Sequence, residues 1–187
     1  MMEGNQIKII DQFLPSDVFK EFQNLFLDKQ FPWYFTESSV FDDDNSPQFC
    51  HAFYMDMEPR SDYWDYIKPI LVNGLELKNH QAILRVKANA TPVYSEVIPK
   101  RFHYDLVHNG EKEKLKVDEN YPAKVSPHNV AIIYINSNDG ITYFKDGAKV
   151  ESVENRCVMF SGNLMHAGST CTNSSLRIVL NVNYTCE

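Results

Sequence analysis

The sequence has no apolar run long enough to span a bilayer. Its opening, MMEGNQIKII, also lacks the basic segment and apolar stretch of an export signal. These absences lead to the expectation of a soluble cytoplasmic protein with no membrane partner. There are only four cysteines, at positions 50, 157, 171 and 186, and no two form a CxxC pair. That excludes a zinc ribbon or dithiol redox motif and fits reduced thiols. Basic residues are outnumbered, with 18 Lys and Arg against 25 Asp and Glu for a formal charge of −7, so attraction to nucleic acid backbones is not expected. No compositional break divides the chain, no repeat recurs, and no low-complexity tract appears. The 187 residues are therefore read as one domain, 1–187, with a helical support region over 1–80 and a β-rich core over 81–187.

What the chain does contain is a chemical cluster in Arg101 to His108, RFHYDLVH. Read as a strand, this segment sends His103 and Asp105 to the same face, where an imidazole and a carboxylate can reach one metal ion. The best third ligand is His166 in NLMHAGS. Two histidines and one carboxylate leave coordination positions open, an arrangement associated with non-haem Fe(II) oxygenases. His51, His80, His108 and His128 match no ligand position and are read as structural.

Along the chain, residues 7–10 read as a strand, and Ser16 is expected to cap a helix whose stripe is Val18, Phe19, Phe22, Leu25 and Phe26. Asp42, Asp43 and Asp44 lack the spacing and glycine of a calcium loop and read as a solvated turn. A second helix is expected after Ser61, bent or broken near Pro69 and stopped at Asn73-Gly74. Strands are expected over 82–87, 94–98, 101–108, 128–136, 141–145, 156–160, 165–168 and 176–184. The charged segment 109–127 is long and leaves the HxD strand directly, so it reads as a lid. In the last strand Leu176, Ile178, Leu180, Val182 and Tyr184 share one face, and Arg177, Val179, Asn181 and Asn183 share the other. An apolar outside and a polar inside suit a jelly roll with a polar lumen.

The order His103-x-Asp105, AIIYINSNDGITYF, CVMFSGNLMHAGST and Arg177 resembles the Fe(II)- and 2-oxoglutarate-dependent dioxygenases. Within them it is most similar to the prolyl 4-hydroxylase-like group of small proteins, which includes bacteriophage-encoded members; for such a member the location would be the host cytoplasm. The likeness covers 82–184, and KIIDQFLPSDVFKEF is similar to the family's N-terminal strand and helix. It implies a double-stranded β-helix, mainly β with N-terminal helices, jelly-roll and cupin-like. Iron would be held by His103, Asp105 and His166, with 2-oxoglutarate as cosubstrate and ascorbate as an optional reductant. Arg177 matches the residue that holds the far carboxylate of 2-oxoglutarate, with Arg85 next in order as an anchor. Tyr134 matches a tyrosine that would donate to the same carboxylate. The implied reaction is hydroxylation of a small-molecule or peptide substrate by O2 with release of succinate and CO2. In the family's GGxTxF segment the first glycine is Asp139 here, which bears on the shape of that turn. Two other readings are a cupin-like metal-binding isomerase and a non-catalytic jelly-roll module that binds a ligand. Neither oligomeric state nor the substrate, expected to be set by loops 36–50 and 109–127, is encoded in these motifs.

Overall fold

In a computed structural model, which describes residues 6–39, 41, 44–107 and 125–186, the chain begins with β1 (Lys8–Ile10), α1 (Ser16–Leu27), β2 (Tyr34–Thr36), β3 (Gln48–Met55), β4 (Glu58–Pro59) and α2 (Trp64–Gly74). It continues through β5 (Ile83–Pro92), β6 (His128–Tyr134), β7 (Ile141–Phe144), β8 (Lys149–Glu151), β9 (Cys157–Ser161), β10 (His166–Ala167) and β11 (Leu176–Thr185). The larger sheet has the order β1-β9-β6-β11-β5-β3-β2, with β4 on β3, and the smaller has the order β10-β7-β8. The segment 98–103 extends the smaller sheet beyond β10 through the isolated bridges Pro99↔Ser169 and His103↔His166. This is a double-stranded β-helix.

Side-chain alternation along the strands divides the interior into two cores. Even-numbered residues of β5 and β11, such as Val86, Ala88, Ile178, Leu180 and Val182, pack against Phe22 and Phe26 of α1 and Ile67 and Leu71 of α2. Odd-numbered residues of β11 face the opposite sheet. There Val179 joins Ile132, Tyr134, Phe144, Val150 and Phe160. The polar members of this second face, Arg177 and Asn181, line a cavity between the sheets. The lumen inferred from LRIVLNVNY is thus real, and the helices cover only its outside.

Several local expectations change. Ser16 is the first residue of α1, and Pro15 occupies the N-cap position with no side-chain cap hydrogen bond; proline's fixed φ supplies the extended geometry that a cap requires. Pro69 lies within α2 without ending it, because Trp64, Ile67 and Leu71 anchor the helix on both sides of it. Residues 94–98 and 101–107 are not regular strands. They are held only by single bridges and bonds such as Ile98 N–H to Thr170 Oγ1 at 2.7 Å. The first eighty residues supply β1 to β4 to the larger sheet as well as both helices. Their aromatic strand β3 finds a partner for its backbone at the edge of β5. Among the described residues, no helix is long and apolar enough to cross a membrane.

Beside the β1–β9 ladder and the Arg156–Asp11 ion pair, Asn155 fastens the link between β1 and α1 to the core. Asn155, at φ 57° in the turn before β9, donates from Nδ2 to the Leu14 carbonyl at 2.8 Å and accepts the Leu14 N–H on Oδ1 at 2.9 Å. Its own carbonyl accepts the Phe13 N–H at 2.8 Å. Asparagine tolerates positive φ better than most residues and matches both backbone groups of Leu14 at once. Asn155→Ala is expected to lower stability by about 2–4 kcal/mol, since it strands a buried donor and a buried acceptor. Urea unfolding followed by Trp fluorescence measures this, and a change below about 0.5 kcal/mol would remove Asn155 from the connection.

Candidate metal and anion site

His103 and His166 meet as a hydrogen-bonded backbone pair. The His103 N–H donates to the His166 carbonyl at 3.0 Å, and the His166 N–H donates back at 3.1 Å. This pairing brings the two rings to a centroid distance of 4.6 Å. Asp105 completes the group. Its Oδ1 lies 3.6 Å from His103 Nε2 and 3.7 Å from His166 Nε2, and the three ligating atoms lie within 4.8 Å of one another. The sequence argument placed His103 and Asp105 on one face of a strand; the structure brings them together by a bend at the sheet edge instead.

Both imidazoles are set in one tautomer by their outer nitrogens. His103 Nδ1 faces the Arg101 carbonyl at 3.2 Å, and His166 Nδ1 faces the Leu164 carbonyl at 3.3 Å. A carbonyl can only accept, so each Nδ1 carries a proton and each Nε2 points to the centre. Burial, followed by the neighbouring His103, depresses the His166 pKa to about 4, which keeps the ring neutral. Asp105 is the opposite case. Burial alone would raise its carboxyl, but the Arg85 guanidinium and the two histidines outweigh that and hold it well below the usual range. Arg85 Nη2 lies 3.1 Å from Asp105 Oδ1, Asn183 Nδ2 donates to Asp105 Oδ2 at 2.8 Å, and Arg85 Nε donates to Asn183 Oδ1 at 2.9 Å. A closed triangle therefore fixes the carboxylate. It also occupies Arg85, which is not available as the alternative anion anchor. Two imidazole nitrogens and one ionised carboxylate oxygen, all aimed inward, fit a divalent first-row metal.

Arg177 is 4% exposed and reaches into the same cavity. Its Nε donates to Ser152 Oγ at 3.0 Å and its Nη2 to Thr142 Oγ1 at 2.9 Å. The guanidinium crosses two glycines. A Cβ on Gly140 would lie 2.4 Å from Arg177 Cδ, and one on Gly168 would lie 3.2 Å from Nη1. Among the described residues no carboxylate pairs with Arg177, and burial pulls its pKa down. A cation so placed is costly unless an anion balances it.

Tyr134 does not reach the cavity. It is fully buried, its hydroxyl donates to Thr142 Oγ1 at 2.8 Å, and its ring lies 5.7 Å from the Arg177 guanidinium carbon. Thr142 thus accepts from both neighbours, and its own proton is left to donate into the cavity that it lines. Thr142 stands between the Tyr134 hydroxyl and the cavity. Thr142→Val is expected to weaken binding of a dicarboxylate about tenfold, because Arg177 loses an acceptor and the ligand a donor. Tyr134→Phe should stay within about threefold. A reversed order in equilibrium titration would return Tyr134 to the ligand.

Asp139 stabilises its turn rather than disturbing it. It accepts from the Thr172 N–H at 2.7 Å and from the Thr172 hydroxyl, while its own N–H donates to Asn173 Oδ1 at 3.0 Å. The loops before β7 and β11 are thereby joined beside Arg177. Residues not singled out from the sequence also line the cavity, namely Gln48, Lys87, Asn89, Thr91 and Lys100. The inward parity of β5 could have revealed Lys87, Asn89 and Thr91. His51 is structural, held by the Pro32 carbonyl and Ser61 Oγ at 2.8 Å each. His128 is buried against the Ser126 carbonyl, and His80 is exposed. Asp44 is not simply solvated. It caps its own turn through the N–H groups of Ser39, Phe41 and Ser46. Asp42, Asp43, His108 and most of the expected lid at 109–127 lie outside the described residues.

The double-stranded β-helix that carries His103, Asp105 and His166 is a fold shared with solved 2-oxoglutarate–Fe(II) oxygenases. No family model matches the sequence, and no curated protein does. Solved structures match it nearly end to end. A 2OG-Fe(II) oxygenase family oxidoreductase from Burkholderia pseudomallei aligns with 98% of this chain and 86% of its own at a TM-score of 0.65 and 10% identity. The viral collagen prolyl hydroxylase of Paramecium bursaria Chlorella virus-1, solved with 2OG, aligns over 99% and 98% at a TM-score of 0.53 and 13% identity. The α-ketoglutarate-dependent epimerase SnoN of nogalamycin biosynthesis aligns over 97% and 76% at a TM-score of 0.62 and 10% identity. At these identities the likeness establishes the fold.

Proposed function

We propose that this protein is an Fe(II)- and 2-oxoglutarate-dependent dioxygenase that hydroxylates a small-molecule or peptide substrate. The observation that carries the reading is the pairing of one preorganised metal cluster with one buried, unneutralised arginine in the same cavity of roughly 170 Å³. A metal site alone would suit an isomerase, and a cavity alone would suit a binding module. Only a ligand that chelates metal at one end and carries a carboxylate at the other uses both. Of the fold neighbours, the viral enzyme is named a prolyl hydroxylase and SnoN an epimerase, so the fold does not choose the outcome.

His103, Asp105 and His166 would hold iron, and Arg177 with Thr142 would receive the far carboxylate. Bound together, iron, 2-oxoglutarate and O2 supply oxidative decarboxylation to succinate and CO2 coupled to oxygen transfer to the substrate. The chain's own part is positional. The outer carbonyls of Arg101 and Leu164 orient the imidazoles, Arg85 and Asn183 keep Asp105 ionised, and Ile132 and Val179 give the cavity an apolar wall that would limit water around a bound iron. Cysteines without disulfide partners agree with a cytoplasmic location. The whole chain is read as one catalytic unit, since strands from its first eighty residues complete the sheet that carries Arg177.

The test is anaerobic loading with Fe(II) and 2-oxoglutarate, followed by admission of O2 with peptide and metabolite panels. Formation of the metal-to-ligand absorbance band and O2-dependent succinate are expected. A metal-loaded protein that gives neither would leave the binding-module reading in its place.

A further inference from the structure

Lys100 lines the cavity that Arg177 enters, with Lys87 and Arg85 as its other cations. Its backbone N–H donates to the Gly168 carbonyl at 2.8 Å, and Gly168 is the residue across which Arg177 Nη1 passes. The ammonium extends over the floor of the larger sheet to Gln48 Oε1 at 3.1 Å. That floor is continuous, since Arg177 pairs with Thr91 on β5, and the neighbouring Ala90 pairs with Phe49, next to Gln48, on β3. Lys100 and Arg177 therefore flank one end of the lumen, and Arg85 and Asp105 are paired at the other.

Lys100 has three N–H donors, and Gln48 is the one hydrogen-bond acceptor found for them among the described residues. No carboxylate of the described residues lies within ion-pair distance of it. Asp44 acts on it only from further off, and its oxygens serve Ser39, Phe41 and Ser46. Burial and then the Arg177 charge lower the Lys100 pKa to about 8. Like charges held out of water oppose each other, and a single anion between them relieves both.

We propose that Lys100 is the second half of the anion cradle, its ammonium and the Arg177 guanidinium together holding the distal carboxylate of the dicarboxylate cosubstrate. The inference rests on the proposed oxygenase function and assigns Lys100 a positioning role in it. Gln48 aims the ammonium, and Thr142 and Arg177 supply the remaining donors.

The experiment uses the full chain loaded with Fe(II) under nitrogen, with two probes. One is 2-oxoglutarate; the other is 2-oxobutyrate, which keeps the chelating keto acid but lacks the distal carboxylate. In Lys100→Met the affinity for 2-oxoglutarate should fall about tenfold to a hundredfold, the range of a charged hydrogen bond. Affinity for 2-oxobutyrate should stay within about twofold, and Lys100→Arg should recover most of the loss. The ligand-free melting temperature of Lys100→Met should be unchanged or higher, because an uncompensated cation has been removed, while the shift induced by 2-oxoglutarate should shrink. Unchanged 2-oxoglutarate affinity in Lys100→Met, with Arg177→Ala still impaired, would overturn the cradle and leave the oxygenase reading standing. Equal loss for both probes would overturn it too, by showing a general disturbance of the site. A parent protein that binds iron but neither keto acid would remove both the cradle and the reading beneath it.

Discussion

Arg177→Ala should leave iron binding nearly intact and weaken 2-oxoglutarate binding by at least about a hundredfold. Removing one member of a buried ion pair costs roughly 3–5 kcal/mol, which is that factor or more. The guanidinium is fixed by Ser152 and Thr142 and is shielded from water, so little solvent screening reduces the effect. Arg177→Lys should be intermediate, because an ammonium cannot bond both partners in the plane of the fork. Gly140→Ala should mimic the loss without touching a charge, since its Cβ would lie 2.4 Å from Arg177 Cδ and push the side chain out of its channel. Titration of the metal-to-ligand absorbance band under nitrogen reads all three. Full affinity in Arg177→Ala would shift the anchor to Lys100, the other unpaired cation of that wall among the described residues.

Removing any one of His103, Asp105 or His166 should abolish tight Fe(II) binding, but the three variants should differ in stability. His166 is neutral, and its ring packs on Phe160 at a centroid distance of 4.8 Å. His166→Ala therefore loses mainly packing, about 1–2 kcal/mol. Asp105→Ala also leaves Arg85 and Asn183 facing an empty position. Arg85 keeps a fifth of its side chain in solvent, which moderates the penalty to about 2–4 kcal/mol. Metal analysis and urea unfolding measure the two effects separately. Near-parental iron content in a variant would strike that residue from the ligand set, and equal stabilities would argue that the Arg85 triangle carries no energy of its own.

The candidate metal ligands are legible in the sequence because their chemistry is local: an HxD spacing and a histidine at the start of a late strand announce themselves. Arg177 could be read from strand parity together with the family resemblance. Thr142 and Lys100 were harder, for a physical reason. Neither residue type is diagnostic, and each matters only because the smaller sheet folds it over the larger one. Tyr134 is a different case. It carries the right functional group on the right strand, yet the neighbouring threonine intervenes, and a one-dimensional pattern cannot show which of two hydroxyls lies nearer the lumen. The short strand β8 and the bridged segments 94–98 and 101–107 were misjudged because two or three residues hold too little periodicity to distinguish a strand from a bend.

The alternation of β11 has a consequence for how this protein tolerates change. Its even positions lie under the helices and its odd positions over the lumen, so one ten-residue segment carries two independent selective burdens. A saturation library across Leu176–Thr185, sorted once for cellular abundance and once for ligand capture, should give two profiles that oscillate out of phase with a period of two. Odd sites could then drift toward new ligands without passing through unfolded intermediates, and even sites could be reinforced without retuning the chemistry.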